Sequence, residues 1–161
     1  MNPIFLFLLL FISLTASSQT YYIVRHAEKA QPLPAGPSDD PPLSRKGEQR
    51  AQHLKELLEN KNIKYIFSTN YIRTLSTAKP LSQAIHVAVK TYVNVDSAFI
   101  KKIKALKKNV LIVGHSNTID NIANALTNVI SVRGDIADSV YDNLFVVQYI
   151  GRKIKFEAKK Y

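Results

Sequence analysis

The stretch Val110-Leu111-Ile112-Val113 is apolar at four successive positions and stops at Gly114-His115, and no other feature constrains the fold as strongly. A strand with one face in water alternates apolar and polar residues. An unbroken run of this length belongs to a strand buried on both faces of a sheet. The rest of the chain supplies matching parts. Tyr21-Tyr22-Ile23-Val24 reads as a short buried strand ending at Arg25-His26, and Lys64 to Phe67 as another ending in Ser68-Thr69-Asn70. Val87 to Tyr92 alternates as a third. Leu144 to Ile150 and Lys153 to Glu157 form a closing hairpin that turns at Gly151-Arg152.

Between the strands lie helical periods. Ser44 is a good N-cap for a helix carrying Ala51, Leu54, Leu57 and Leu58 at helical spacing. Gly47 in its first turn costs about 1 kcal/mol of propensity relative to Ala, which points to a close backbone approach there. Ile72, Leu75, Ala78 and Leu81 mark a second helix with Arg73 in its opening turn. A basic helix over Ser97 to Lys108 turns Phe99, Ile103 and Leu106 inward and Lys101, Lys104 and Lys108 outward. Ile119, Ile122, Ala123 and Leu126 mark a last helix, capped by Asn117 or Ser116. Strands alternating with helices predict a layered α/β domain, mostly parallel, with an antiparallel edge from the final hairpin.

Two segments stand outside this pattern. Ile4 to Leu14 is an apolar run of signal-peptide length, followed by small residues that suit cleavage after Ser18. This divides the chain into a signal peptide over 1–18 and one domain over 19–161, exported to the periplasm or secreted, with no stable membrane anchor. Ala30 to Pro42 is rich in Pro, with Gly36 and Asp39-Asp40, and is incompatible with a regular element. A loop of this kind in a small domain reads as a lid.

The 161 residues contain no cysteine, which excludes a disulfide framework, a thiolate nucleophile and a cysteine-bound metal. All 22 basic and 12 acidic residues follow the signal segment, so the domain carries the full +10 and favours anionic partners. The lysines at 101, 102, 104, 107 and 108, and Arg152, Lys153, Lys155, Lys159 and Lys160 in the tail, read as solvated faces. No stacking aromatics are interleaved with them, so specific nucleic-acid binding is not expected.

In open α/β sheets, ligands bind beyond the carboxyl ends of the strands. Here those ends deliver Arg25-His26, Arg73 by way of Ser68, and His115, so two of the four histidines sit at strand ends. Arg73 and the amides after His115 also lie near helix N-termini, which favour anions. Two guanidiniums and two imidazoles in one place make a site for a phosphoryl group, because arginine's fork of donors matches phosphate oxygens and keeps its charge. His53 and His86, by contrast, read as surface or packing residues, Arg50 as a helix-face ion-pair former, and Lys29 as an exposed lysine.

Val24-Arg25-His26-Ala27-Glu28-Lys29 resembles the opening signature of the histidine phosphatase superfamily, also called phosphoglycerate mutase-like, in its Arg-His-Ala-Glu branch. The resemblance continues through Pro42-Leu43-Ser44 with Gly47, Arg50 and Ala51, then Ser68-Thr69 with Arg73, Thr74, Thr77 and Ala78, and Val113-Gly114-His115-Ser116-Asn117-Thr118. It implies a three-layer α/β/α sandwich with a mixed sheet. It also implies that His26 is the nucleophile, taking the phosphoryl group as a phosphohistidine, that Arg25 and Arg73 bind its non-bridging oxygens, and that His115 donates to them. Ser116 and Asn117 are caps first and ligand contacts second. No metal or other cofactor is required. A carboxylic acid should protonate a leaving alcohol. Asp96 occupies roughly the family's place for it and Glu28 is the alternative, although members that cleave phosphohistidine use none. The implied substrate is a phosphomonoester or phosphohistidine on a phosphorylated small molecule or other anionic partner. A non-catalytic phosphoanion-binding protein and a phosphomutase are the rival functions.

Overall fold

A computed structural model describes residues 18–31 and 40–161. The apolar run Ile4 to Leu14 and most of the Pro-rich segment lie outside the described residues. The elements follow in the order β1 (Ser18–Arg25), α1 (Arg45–Leu58), β2 (Ile63–Ser68), α2 (Ile72–Ile85), β3 (Val89–Thr91), α3 (Ser97–Ala105), β4 (Asn109–Gly114), α4 (Ile119–Thr127), β5 (Asn143–Ile150) and β6 (Lys153–Lys160).

One six-stranded sheet runs β3-β2-β4-β1-β5-β6. The pairs β2–β3, β2–β4 and β1–β4 are parallel, while β5 pairs antiparallel with β1 and β6 with β5. This is the mixed sheet with an antiparallel hairpin edge that the sequence predicts. The central strands explain the unbroken apolar runs. Tyr21, Ile23, Val110, Ile112, Phe145 and Val147 face one core, where they meet Phe99 and Ile103 of α3 and Ile119, Ile122 and Leu126 of α4. Tyr22, Val24, Leu111, Val113, Leu144 and Val146 face the other, against Leu54 and Leu58 of α1 and Ala78 and Leu81 of α2. Both faces are dry, so neither residue parity is free to be polar.

Local chemistry sets the boundaries. The Ser44 hydroxyl accepts from the Gly47 amide at 3.1 Å, capping α1. Gly47 is buried, and a Cβ there would stand 2.1 Å from the Glu28 carbonyl oxygen, the close approach that its cost in helix propensity implies. The basic helix ends at Ala105, short of the expected Lys108, and Lys104 turns inward to donate to the Ala125 carbonyl at 3.1 Å. The final strand runs to Lys160, beyond Glu157, because its backbone stays paired with β5 over the whole length. The two ends of the Pro-rich segment are closed on each other: Lys29 bridges Leu43, and the Ala30 amide donates to the Pro42 carbonyl at 2.9 Å.

Candidate active site

The floor of the site is made where β1 and β4 stop. The His26 amide donates to the Gly114 carbonyl at 2.9 Å, continuing the β1–β4 pairing one residue past the strand. The Ala27 amide donates to the Thr77 hydroxyl at 2.9 Å, and that hydroxyl donates to the Arg73 carbonyl at 2.8 Å, which ties the first turns of α2 to the end of β1. The His26 ring is fixed through Nδ1, 2.8 Å from the Ala27 carbonyl oxygen. A carbonyl only accepts, so Nδ1 carries the proton and the lone pair sits on Nε2. Burial pushes the His26 pKa down to about 4, helped by the charges of Arg25 and Arg73 and opposed by the Ala27 bond. The ring is therefore neutral at ordinary pH.

His115 stands beside it, ring centroids 5.4 Å apart and nearly edge to face. Its Nε2 lies 2.9 Å from the Thr69 hydroxyl, which is itself bonded to Thr74, so the end of β2 and the start of α2 orient the ring. Burial again lowers the pKa to about 4, with Arg73 and Arg25 acting in the same direction. The His115 amide donates to the Thr118 hydroxyl at 2.9 Å, which closes the turn after β4.

The two arginines are held from outside the floor. Arg25 is only 4% exposed; its Nη1 reaches the carbonyls of Ala137, Asp138 and Val140 at 3.0, 3.2 and 3.1 Å, and its Nη2 reaches Asp138 Oδ1 at 3.1 Å. The Tyr141 ring lies 4.3 Å from its guanidinium carbon. Arg25 Nε is buried without a hydrogen-bond partner among the described residues, a donor turned to no protein acceptor. Arg73 Nη1 meets Asp40 Oδ1 at 3.0 Å, and its guanidinium sits over the Tyr71 ring at 4.5 Å. The other oxygen of Asp40 accepts from the Ile72 amide at 2.8 Å, supplying the cap that Tyr71, at the N-cap of α2, does not provide. A cavity of about 1000 Å³ opens over Arg25, His26, Arg73, His115, Ser116 and Asn117, with Tyr71, Val93, Asp135 and Asp138 among its other walls.

A family model described as the histidine phosphatase superfamily (branch 1) matches residues 21–96. Over this stretch the chain matches the histidine phosphatase superfamily. The matched stretch carries Arg25, His26 and Arg73; His115 lies beyond it and joins them through β4. No curated protein matches the chain in sequence. Among solved structures, the fold is similar to the protein histidine phosphatase SixA complexed with tungstate, at 14% identity and a TM-score of 0.66, over 88% of this chain and 96% of that one. It is similar as well to the native mycobacterial glucosyl-3-phosphoglycerate phosphatase, at 12% identity and a TM-score of 0.64, over 89% and 98%. Bacillus stearothermophilus YhfR is a third, at 14% and 0.62, over 88% and 96%. At such identities these likenesses concern the α/β fold.

Six residues singled out in the sequence line one cavity: Arg25, His26, Arg73, His115, Ser116 and Asn117. The two candidate acids do not join them. Asp96 caps α3, accepting from the Phe99 amide at 2.8 Å, and borders a separate groove between α3 and α4. Its helix-start position made it a cap before anything else. Glu28 is turned away into a two-pronged bond with Arg50, at 2.8 and 2.7 Å, with Lys46 at 3.4 Å. Burial pushes its pKa up, but the bonds from Arg50 and Lys46 outweigh that and hold it below its ordinary value. An ionised carboxylate so paired is not an acid in waiting. Arg50 is thus the ion-pair former expected of it, and His53 and His86 are exposed.

Neither Ser116 nor Asn117 caps the last helix: α4 starts at Ile119 with Thr118 in the cap position, because the Thr118 hydroxyl is bonded to His115 rather than to the helix. The sequence gives no signal for Tyr141 and Asp138, and it marks Thr69 only as part of a motif and Asp40 only as part of a loop. Tyr71, two residues before Arg73, has a local signal. Among the described residues, no group of three or more His, Cys, Asp or Glu side chains is placed to hold a metal ion.

Proposed function

We propose that the chain is an exported, metal-independent phosphatase that transfers the phosphoryl group of its substrate to His26 Nε2 and then to water. The observation that carries this reading is the His26 ring: buried, neutral, and with Nδ1 committed to the Ala27 carbonyl, so that the nucleophilic lone pair belongs to Nε2. Arg25 Nε, buried and unpartnered among the described residues, is a donor suited to a phosphoryl oxygen. Arg73 and His115 complete the cationic and hydrogen-bonding surroundings, which stabilise charge spread over the equatorial oxygens during transfer. The SixA likeness was solved with tungstate, a tetrahedral oxyanion, on the same fold.

The placement of Asp96 and Glu28 narrows the substrate. With neither Asp96 nor Glu28 beside the cavity, and the Asp138 carboxylate bonded to Arg25, the favoured substrates are those whose leaving group needs little acid assistance: a phosphorylated histidine, or an ester of an acidic alcohol. The same observation favours one rival, a phosphoanion-binding protein without turnover. Export rests on the apolar run Ile4 to Leu14, and cleavage after Ser18 leaves β1 intact from Gln19 onward.

Hydrolysis of para-nitrophenyl phosphate across about pH 4 to 8, with chelator, separates the readings. Chelator-resistant activity that disappears in His26→Ala is expected. Vanadate binding without turnover of this ester or of phosphohistidine supports the non-catalytic rival. N-terminal sequencing of protein recovered from a secreting host tests export, and an N-terminus at Met1 contradicts it.

A further inference from the structure

The phosphoryl-binding floor is cationic, and the wall above it is not. The segment between α4 and β5 presents Asp135 and Asp138 to the cavity, although the chain as a whole carries +10. Asp138 is 95% exposed at its side chain and is bonded to Arg25 through both side chain and backbone. Its Oδ1 lies 3.1 Å from Arg25 Nη2, its own carbonyl accepts from Nη1 at 3.2 Å, and the flanking carbonyls of Ala137 and Val140 accept from the same nitrogen. Asp135 stands next to Ile136, whose amide donates to the Ser116 carbonyl at 3.0 Å, so that end of the wall is pinned to the turn carrying His115. On the other side Asp40 holds Arg73. Lys29 is the one lining cation besides the two arginines; it is exposed and makes no ion pair among the described residues.

We infer that Asp138, with Asp135, is a specificity-determining residue that selects the charge of the group attached to the phosphoryl: neutral or cationic bodies are accepted and bodies carrying a second anionic group are disfavoured. This rests on the phosphoryl-binding reading of the floor. The phosphoryl group's own charge is met by Arg25 and Arg73 below. Whatever it is attached to must leave past the wall, where a fixed carboxylate repels a carboxylate or second phosphate and attracts an ammonium or protonated imidazole. At an exposed position, Coulomb energies per charge pair are small. Exchanging an anionic for a cationic body changes two unit charges and amounts to about tenfold in affinity at low salt.

The test uses binding, so that it is independent of turnover. Calorimetric titration of the wild-type protein with phenylphosphonates bearing para-methyl, para-carboxylate or para-trimethylammonium groups measures the body-charge preference directly. The cationic ligand is expected to bind about tenfold more tightly than the anionic one at low salt, with the gap closing as salt is raised. In Asp138→Asn the gap narrows at least threefold, and in Asp135→Asn/Asp138→Asn it disappears. All three ligands gain in Asp138→Asn, because Arg25 loses a competing carboxylate. Equal binding of the three ligands to the wild type, or a gap unchanged in folded double variant, overturns this inference and leaves the phosphoryl-binding reading standing. Failure of every phosphonate and of vanadate to bind overturns both.

Discussion

The floor and the wall of the cavity are built by opposite means. The floor is the end of β1 and β4, where the amides of His26, Ala27 and His115 each have a partner: the Gly114 carbonyl, the Thr77 hydroxyl of α2 and the Thr118 hydroxyl. The wall, from Asp135 to Tyr141, has no regular structure and is attached mainly through one guanidinium that collects three carbonyls and a carboxylate. The first arrangement fixes reacting atoms on rigid elements, as pre-organised chemistry requires. The second leaves a surface held mostly through its backbone carbonyls, whose side chains reach the floor through Asp138 and Tyr141. On the reading proposed above, catalysis belongs to the floor and selectivity to the wall, and Arg25 joins the two.

Removing Arg25 is the severest way to test that separation, because it serves both sides. Arg25→Ala should lower kcat/KM by about 10²–10³-fold, as expected for loss of a transition-state donor. Hydrogen exchange should quicken across residues 135–141 while the amides of His26 and Ala27 stay protected. Loss of protection on the floor as well would show a single cooperative unit.

Gly47→Ala attacks the floor alone, from beneath. The new Cβ would meet the Glu28 carbonyl oxygen at 2.1 Å, so the variant should lose about 1–3 kcal/mol in denaturant unfolding. Unchanged stability would contradict the close packing of α1 on the segment after His26. Thr77→Val removes the acceptor of the buried Ala27 amide and should cost about 1–3 kcal/mol, with kcat falling as His26 loses its registration. A variant that loses stability but keeps kcat would mean that the bond is structural only.

The floor also fixes a pH response. His26 and His115 have folded pKa values lowered from 6.5 to about 4 by burial, so between those values the unfolded chain binds more protons than the folded one. Stability should therefore rise with pH across this window and be lost as pH falls through it. His26→Asn should flatten the slope; a slope unaffected by that change would show that the ring is not held neutral. The smallest effect belongs to Asp96. Asp96→Asn preserves a good N-cap and should leave stability and leaving-group dependence alone, while Asp96→Ala should cost about 1 kcal/mol of stability. A selective loss on poor leaving groups in Asp96→Asn would restore it as the acid.

The two regions differ equally in how far they can be read from sequence. Unbroken apolar runs along Tyr21 to Val24 and Val110 to Val113, each leading into Arg25-His26 or Gly114-His115, make the sheet and the floor legible, since strand-end chemistry is local. Arg25, His26 and His115 stand at such strand ends and Arg73 in the helix turn after β2, and the four line one cavity. The wall is not legible in this way, because its attachment to Arg25 spans more than a hundred residues and runs through backbone carbonyls, which carry no side-chain signature. The same holds for Asp40, which caps α2 from 32 residues away, across α1 and β2. Asp96 and Glu28 show the reverse: each stands at a plausible place in the chain for an acid, and the structure gives the one a helix cap and the other an arginine partner.

The central claim is covalent and can be tested as such. The wild-type protein is mixed with para-nitrophenyl phosphate, quenched at high pH, where phosphohistidine survives, and mapped by mass spectrometry of its peptides. A phosphorylated His26 peptide, acid-labile and absent from His26→Ala, is the predicted result. Turnover that persists in His26→Ala, or a phosphoryl group trapped on any other residue, would contradict it.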